Sequence, residues 1–107
     1  MPWARKLEGC TVTFYDVCVR CCGKTDGVTY SGTQAVPYET CAADPGVIPL
    51  GSTVFLDYGD GALHPYRVED TGSGVKGNHI DVCVASHEEA LSLGTQTATV
   101  YWMGDDE

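Results

Sequence analysis

The sequence predicts a single domain that is mainly β, with one short helix. A chain of 107 residues is long enough for one compact domain with a modest core and too short for two. Its 13 glycines and 5 prolines indicate many turns and little helix. Short runs of β-branched and aromatic residues between turn sequences indicate that strands make up most of the fold.

Six strands are expected, because apolar and polar residues alternate in short runs with the period of a half-buried strand. Five runs are TVTFY (11–15), STVFLDY (52–58), YRVED (66–70), HIDVCV (79–84) and TATVYWM (97–103), and a sixth is expected near Cys41 to Ala43. The sequences KTDG, DPG, DYGDG and TGSG separate them with residues that suit reversals of the backbone.

The one predicted helix is SHEEALSLG (86–94). Ser86 and Glu89 have the spacing of a capping box, and Gly94 is placed to end the helix. Its apolar side is expected to consist of Ala90, Leu91 and Leu93.

The charge balance excludes two classes of partner. Fifteen acidic residues against six basic ones give a net charge of -9, which disfavours binding to nucleic acid or to an anionic membrane surface. No apolar run is long enough to span a bilayer, and the start MPWARKLEGC lacks the apolar centre of a secretory signal.

The six cysteines leave two interpretations open. They are Cys10, Cys18, Cys21, Cys22, Cys41 and Cys83. Disulfides, or a mixture of disulfides and free thiols, would suit a small extracellular domain, whereas the close CxxCC set could hold zinc as thiolates. A single CxxCC is a weak zinc signal, and the three histidines do not have ligand-like spacing, so disulfides and thiols are favoured.

Two carboxylates are predicted to meet beside a glycine-rich loop. Alternation places Asp70 on the apolar face of its strand and Glu69 on the solvent face. In the run 79–84 it leaves Asp81 on the face shared with His79. If both strands enclose one barrel, Asp70 and Asp81 meet across the loop between them.

Paired carboxylates of this kind suit the cleavage of a glycosidic bond. Burying one carboxylate beside another raises the pKa of one of them, and the neutral form is then available as a general acid. A simpler hypothesis is that Asp before Thr-Gly only forms a turn. The triplet DTG also occurs in aspartic proteases, but here it lies late in the chain and follows the charged Glu69.

A family resemblance is carried by CAADPGVIPLGSTVFLDYG (41–59) and YRVEDTGSGVKGNHIDVCVASHEEALSLGTQTATVYWM (66–103), with further similarity in FYDVCVRCCGKTDGVTYSGTQA (14–35). These motifs resemble the 3D domain, named for three aspartates, of bacterial stationary-phase survival proteins and phage lysins. The three aspartates fall on Asp44, Asp70 and Asp81.

The resemblance implies a small six-stranded double-psi β-barrel, similar to the catalytic domain of the MltA type of lytic transglycosylase. The barrel is expected over residues 11–103, after an N-terminal extension (1–10) and before a polar tail (104–107). The family cleaves peptidoglycan glycan strands between N-acetylmuramic acid and N-acetylglucosamine, leaves a 1,6-anhydro end and uses no cofactor or metal. A monomer that acts outside the cell, at the cell wall, is implied.

The resemblance also implies roles for individual residues. Asp70 is expected to be the acid/base, with Asp81 as second choice, and Asp81 and Asp44 are expected to hold its proton. Thr71 and Gly72 would position the loop, and the glycan groove would be lined by Tyr30, Ser31, Thr33 and Lys76. His79 and His87 are expected to cap backbone or face solvent. Cys41 and Cys83 stand where the family has apolar or aromatic residues, which implies packed thiols or a bridge.

Two other functions are compatible with the same site. Similar barrels bind glycans without cutting them, so the chain could be a non-catalytic wall-binding module. Hydrolysis, which would leave reducing ends, is the third hypothesis.

Overall fold

The computed structural model describes residues 5–16, 32, 35–72 and 74–103, and over these residues the chain forms six strands and one helix. The strands are β1 (Arg5–Asp16), β2 (Thr40–Ala43), β3 (Thr53–Asp57), β4 (His64–Asp70), β5 (His79–Val84) and β6 (Gln96–Trp102). The helix α1 is His87–Leu93. The predicted mainly β class and the single short helix are confirmed.

The strands close into a barrel in the order β1-β5-β2-β4-β3-β6, with β6 returning to β1. Two of the pairs, β1 with β5 and β2 with β4, are parallel, and the other four are antiparallel. Parallel neighbours require crossover connections rather than hairpins, and closure leaves no unpaired edge. The implied double-psi β-barrel is therefore confirmed.

The barrel interior is filled by aliphatic side chains from all six strands. Those that are fully buried include Val12, Cys41, Val54, Leu56, Val68, Ile80, Val82 and Val100. Burying an aliphatic side chain of this size contributes about 1.5–3 kcal/mol relative to exposing it. Packing of this core fixes how the strands pair, and that pairing positions polar residues on the outer side of the barrel.

The first strand begins at Arg5, earlier than the run TVTFY that the sequence analysis identified. Its pairing with β6 shifts register between Leu7 and Cys10, and Gly9 lies there with φ of 67°. Glycine adopts this left-handed conformation without steric cost and commonly forms bulges. The bulge breaks the alternation of the sequence, which explains why the strand looked shorter.

Helix α1 has the predicted caps. The Ser86 hydroxyl accepts a hydrogen bond from the Glu89 amide at 3.1 Å, and Gly94 ends the helix with φ of 64°. The expected apolar side is not buried, because Leu91 is 69% exposed and only Ala90 packs partly against the core. Within the described part of the chain, no helix is long and apolar enough to cross a membrane.

The prediction that Glu69 faces solvent is wrong, since its residue is only 6% exposed. The pairing of β2 with β4 shifts register, so that Cys41 faces Val68 and Ala42 faces Asp70. Glu69 is the extra residue at this irregularity, and Thr40 and Arg67 cover its side chain. It accepts hydrogen bonds from the Thr40 hydroxyl at 2.7 Å and from Arg67 Nε at 2.9 Å. Asp70, which was expected on the apolar face with Val68, pairs instead with Ala42 on the opposite face.

The cysteines in the part of the chain that the structure describes are Cys10, Cys41 and Cys83, and all of them are buried. Cys10 and Cys41 are free thiols, so no disulfide joins Cys41 to Cys83. Burial raises the pKa of Cys10 to about 11, which keeps it a thiol. Cys18, Cys21 and Cys22 lie outside the described residues, so their pairing and zinc binding stay open. Among the described residues, no three potential ligands group around a metal position.

The buried Glu69 carboxylate gives a stability prediction. Thr40→Val keeps the side-chain shape but removes the hydroxyl that donates to Glu69 and accepts from the Val36 amide. We expect a loss of about 1–3 kcal/mol in the free energy of unfolding, measured by urea denaturation. The control Thr53→Val makes the same change at an exposed strand position and should shift stability by less than about 0.5 kcal/mol. Equal effects would contradict the assignment.

Candidate functional site

The strand registers place two of the three aspartates in one row across the barrel. Thr13 of β1 pairs with Asp81 of β5, Asp81 pairs with Ala42 of β2, and Ala42 pairs with Asp70 of β4. Laterally paired residues point to the same side of a sheet. Ile80 and Val82 on either side of Asp81 point into the core, so this row lies on the outer side of the barrel.

Ala42 lies between the two carboxylates, and its methyl group is a very small side chain. Ala42 is only 4% exposed, so neighbouring residues cover the middle of the row even though the row lies outside the apolar core. A larger residue at this position would occupy the space between the two carboxylates. The row therefore combines two acidic groups with little competing side-chain volume.

Asp81 is the aspartate whose pKa is raised. Burial is the largest cause, and the negative charge of Asp70 acts in the same direction. A hydrogen bond from Thr13 and the nearby His79 act in the opposite direction without cancelling the rise. Asp81 therefore keeps a proton to higher pH than an ordinary aspartate, which is the property that a general acid needs.

Asp70 lies at the end of β4, where one carboxylate oxygen accepts a hydrogen bond from the Thr71 amide at 2.9 Å. It is partly buried, and its charge raises the pKa of Asp81. Asp70 is therefore an acidic neighbour of Asp81. The pKa is raised at Asp81, the second choice for the acid/base, and the roles expected for the two aspartates stay predictions.

Asp44 anchors a loop through both of its carboxylate oxygens, and its expected role in holding the proton of the acid/base stays a prediction. Its Oδ1 accepts from the Gly46 amide at 2.9 Å and its Oδ2 from the Gly77 amide at 2.9 Å. These amides hold the pKa of Asp44 below its usual value, with a smaller effect from Lys76. Both oxygens are thus engaged, so Asp44 remains ionised and ties the end of β2 to the glycine-rich loop.

The glycine-rich loop follows Asp70 and contains three predicted binding residues. Gly72 accepts a hydrogen bond from the Val75 amide at 3.0 Å, and a Cβ at Gly72 would lie 3.3 Å from the Val75 side chain. Val75 is buried and holds the loop against the barrel. Thr71 is half-buried beside Asp70, and Lys76 is exposed. The remaining predicted groove residues, Tyr30, Ser31 and Thr33, lie outside the described residues.

Two residues outside the predicted site lie beside Asp81. Thr13 contacts Asp81 directly, and His79 contacts the Thr13 hydroxyl. The Thr13 hydroxyl donates to Asp81 Oδ1 at 3.0 Å and lies 2.8 Å from His79 Nε2. His79 Nδ1 lies 2.9 Å from the Gly74 carbonyl oxygen. The expectation that His79 caps backbone describes only one of its ring nitrogens. Thr13 could not be found from the sequence, because nothing in TVTFY indicates its parallel partner.

Tyr15 is a further polar residue beside the pair. Its hydroxyl is buried and makes no hydrogen bond within the part of the chain that the structure describes. Burial raises its pKa, and Cys83, Asp70 and Asp81 add to the rise. The hydroxyl is therefore neutral at all physiological pH values.

A comparison with protein families identifies a 3D domain over residues 39–104. Among relatives from Bacillus subtilis, the cell wall-binding protein YocH is 39% identical over 82 residues, which cover 73% of this chain and 27% of YocH. The putative cell wall shaping protein YabE is 37% identical over 86 residues, covering 78% of this chain and 19% of YabE. The chain thus spans only about a fifth to a quarter of these relatives.

Solved structures share the barrel. MltA from E. coli superposes with a TM-score of 0.61 at 21% identity, over 74% of this chain and 28% of MltA. The Streptomyces papain inhibitor superposes with a TM-score of 0.64 at 22% identity, over 97% of this chain and 99% of the inhibitor. At these identities the similarity establishes the fold alone. The family match covers more than half of the chain and includes Asp44, Asp70 and Asp81, and this chain therefore belongs to the 3D domain family.

Proposed function

We propose that this barrel is a peptidoglycan lytic transglycosylase in which Asp81 is the general acid/base. The observation that carries the proposal is the row in which Ala42 alone separates Asp81 from Asp70, and the raised pKa of Asp81 supports it. Its substrate is the glycosidic bond between N-acetylmuramic acid and N-acetylglucosamine. The product is a 1,6-anhydro-muramic acid end.

The proposed reaction uses one proton twice. Protonated Asp81 donates its proton to the glycosidic oxygen as the bond to the anomeric carbon breaks. The resulting carboxylate takes the proton of the 6-hydroxyl of the same muramic acid, whose oxygen closes on the anomeric carbon. The negative charge of Asp70 stabilises the oxocarbenium-like state. Asp81 ends the cycle protonated, so the reaction requires no cofactor and no second nucleophile.

The comparisons support a cell-wall glycan as the ligand. Relatives are named as cell wall-binding and cell wall shaping proteins, and E. coli MltA, which shares the barrel, has been crystallised with chitohexaose. We accordingly propose that the protein acts at the cell wall, and the monomer expected from the sequence stays a prediction. Peptidoglycan carries carboxylates and the chain has a net charge of -9, so recognition depends on the shape and hydrogen bonds of the groove rather than on charge attraction.

A wall-binding module without catalysis is the second candidate. The name of YocH as a cell wall-binding protein favours it. Such a module would retain purified peptidoglycan and release no soluble muropeptides. Mass spectrometry of the released material separates the three functions, because lytic cleavage gives anhydro ends, hydrolysis gives reducing ends and binding gives neither.

Asp81→Asn tests the mechanism directly. The amide cannot donate a proton of comparable acidity, so we expect the rate of anhydro-muropeptide release to fall by about 100-fold or more. The control Asp60→Asn removes an acidic group from an exposed turn and should retain wild-type activity. An Asp81→Asn protein that releases anhydro products at the wild-type rate would contradict the proposal.

The pH dependence of the rate tests the pairing of the aspartates. Activity requires protonated Asp81 and is lost as the pH rises through its pKa. Because the charge of Asp70 raises that pKa, Asp70→Asn should move the loss of activity to lower pH. The control Asp57→Asn removes one charge from β3 and should leave the profile in place. If Asp70→Asn abolishes activity at every pH and Asp81→Asn does not, the two roles are reversed.

Stability measurements on Asp81→Asn test the burial of the carboxyl group. The pKa of Asp81 is raised in the folded chain, so its stabilising contribution is full below the unfolded-state pKa and is lost as the pH rises through the folded-state value. The variant should therefore be more stable than the wild-type protein at neutral pH, with the difference vanishing below pH 3.8, the ordinary value. Urea denaturation across this range measures it. Lower stability at neutral pH would contradict the assignment.

A further inference from the structure

A chain of three close contacts joins Asp81 to the glycine-rich loop. Asp81 Oδ1 lies 3.0 Å from Thr13 Oγ1, Thr13 Oγ1 lies 2.8 Å from His79 Nε2, and His79 Nδ1 lies 2.9 Å from the Gly74 carbonyl oxygen. The three side chains come from β1 and β5, whose parallel pairing sets Thr13 opposite Asp81. His79 and Asp81 are two residues apart on β5 and so lie on the same side of the sheet. The Thr13 hydroxyl therefore lies between them.

The chemistry of these groups fixes part of the proton arrangement. A carbonyl oxygen only accepts, so Nδ1 of His79 must carry a hydrogen and donate it to Gly74. A hydroxyl donates one hydrogen bond and accepts others, so Thr13 can fill only one of its two contacts as donor. The second contact needs a proton from either His79 Nε2 or Asp81 Oδ1.

Two arrangements of the hydrogens satisfy both contacts of Thr13, and they differ in the position of one proton. With the proton on Asp81 Oδ1, the carboxyl donates to Thr13 and Thr13 donates to neutral His79. With the proton on His79 Nε2, the imidazolium donates to Thr13 and Thr13 donates to the Asp81 carboxylate. In both arrangements every contact contains one hydrogen, so one proton passes between Asp81 and His79 through the Thr13 hydroxyl without a net change of charge or any further reactant.

We propose that Thr13 and His79 are positioning residues that direct the reacting proton of Asp81 onto Oδ2, the oxygen that Thr13 does not contact. This inference rests on the proposed function of Asp81. When the group binds one further proton, His79 is the imidazolium, Thr13 donates to Oδ1 and the added proton lies on Oδ2, from which Asp81 donates it to the substrate. When Asp81 has given up that proton, the hydroxyl and the imidazolium behind it stabilise the carboxylate. The same carboxylate oxygen then takes the proton of the 6-hydroxyl.

The groups that surround Asp81 determine how this arrangement responds to pH. They are His79 on its own strand, Asp70 at the end of β4, Tyr15 on β1 and Cys41 on β2. Thr13 is uncharged, so replacing it removes hydrogen bonds of Asp81 and His79 without removing any ionisable group. Variants at Thr13 therefore test the hydrogen-bonded path from Asp81 through Thr13 to His79 (the relay) separately from the ionisable groups of the site.

The matched pair Thr13→Val and Thr13→Ser tests the proposal. Valine keeps the branched shape without the hydroxyl, and serine keeps the hydroxyl without the methyl group. The hydrogen bond from Thr13 lowers the pKa of Asp81, so Thr13→Val should move the loss of activity to higher pH and reduce the plateau rate about tenfold or more. Thr13→Ser should keep the wild-type profile. His79→Gln, which donates to Thr13 without carrying a charge, should behave as Thr13→Val does.

Titration of the Asp81 carboxyl carbon by NMR gives the same test without any substrate. We expect a higher Asp81 pKa in Thr13→Val and in His79→Gln than in the wild-type protein, and a wild-type value in Thr13→Ser. Equal Asp81 pKa values in all four proteins would overturn the relay. If the relay variants titrate as expected while Asp81→Asn still releases anhydro products, the proposed function fails and the relay stands. If Asp81→Asn is inactive and the Asp81 pKa values are equal in all four proteins, the relay fails and the proposed function stands.

Discussion

The parallel pairing of β1 with β5, with β2 next to β5, is the constraint on which the site depends. Through it, residues from four distant parts of the chain, 13, 42, 70 and 81, form one row on the outer side of the barrel. Holding a carboxylate away from water on such a surface costs free energy. The aliphatic core directly beneath the row offsets that cost, since Ile80 and Val82 fix the backbone that carries Asp81. The electrostatics of the site are therefore set by packing on the opposite face of the same strands.

Two covered carboxylates in this barrel differ in their partners, and the difference separates a structural group from the one proposed to react. Glu69 is matched by the Thr40 hydroxyl and by the Arg67 guanidinium, which compensate its charge. Asp81 accepts from one hydroxyl and lies between opposing influences, because His79 lowers its pKa and the like charge of Asp70 raises it. Burial alone would not identify the reactive group, because Glu69 is the more buried of the two. The identity of the neighbouring charges distinguishes them.

Local sequence patterns predicted those features that depend on neighbouring residues. Alternation identified the strands and placed Ile80 and Val82 in the core, and Ser86 and Gly94 marked the helix ends, because each effect acts within a few residues. The errors arose where the register shifts. An irregularity opposite Ala42 leaves Glu69 covered and moves Asp70 to the face opposite Val68, and no local pattern encodes it. Thr13 and His79 contact each other across 66 residues of sequence, so their pairing follows only from the closed topology.

The three aspartates of this chain differ in their surroundings. Both oxygens of Asp44 accept backbone amides, Asp70 adds a like charge near Asp81, and the pKa of Asp81 is raised. A barrel that only bound glycans would gain stability from an uncharged amide at position 81, since hydrogen bonding to sugar hydroxyls does not require an acid. A carboxyl group placed where burial and a like charge both disfavour its ionised form is suited to proton transfer. This cost at Asp81 is the physical argument for the proposed catalysis over binding alone.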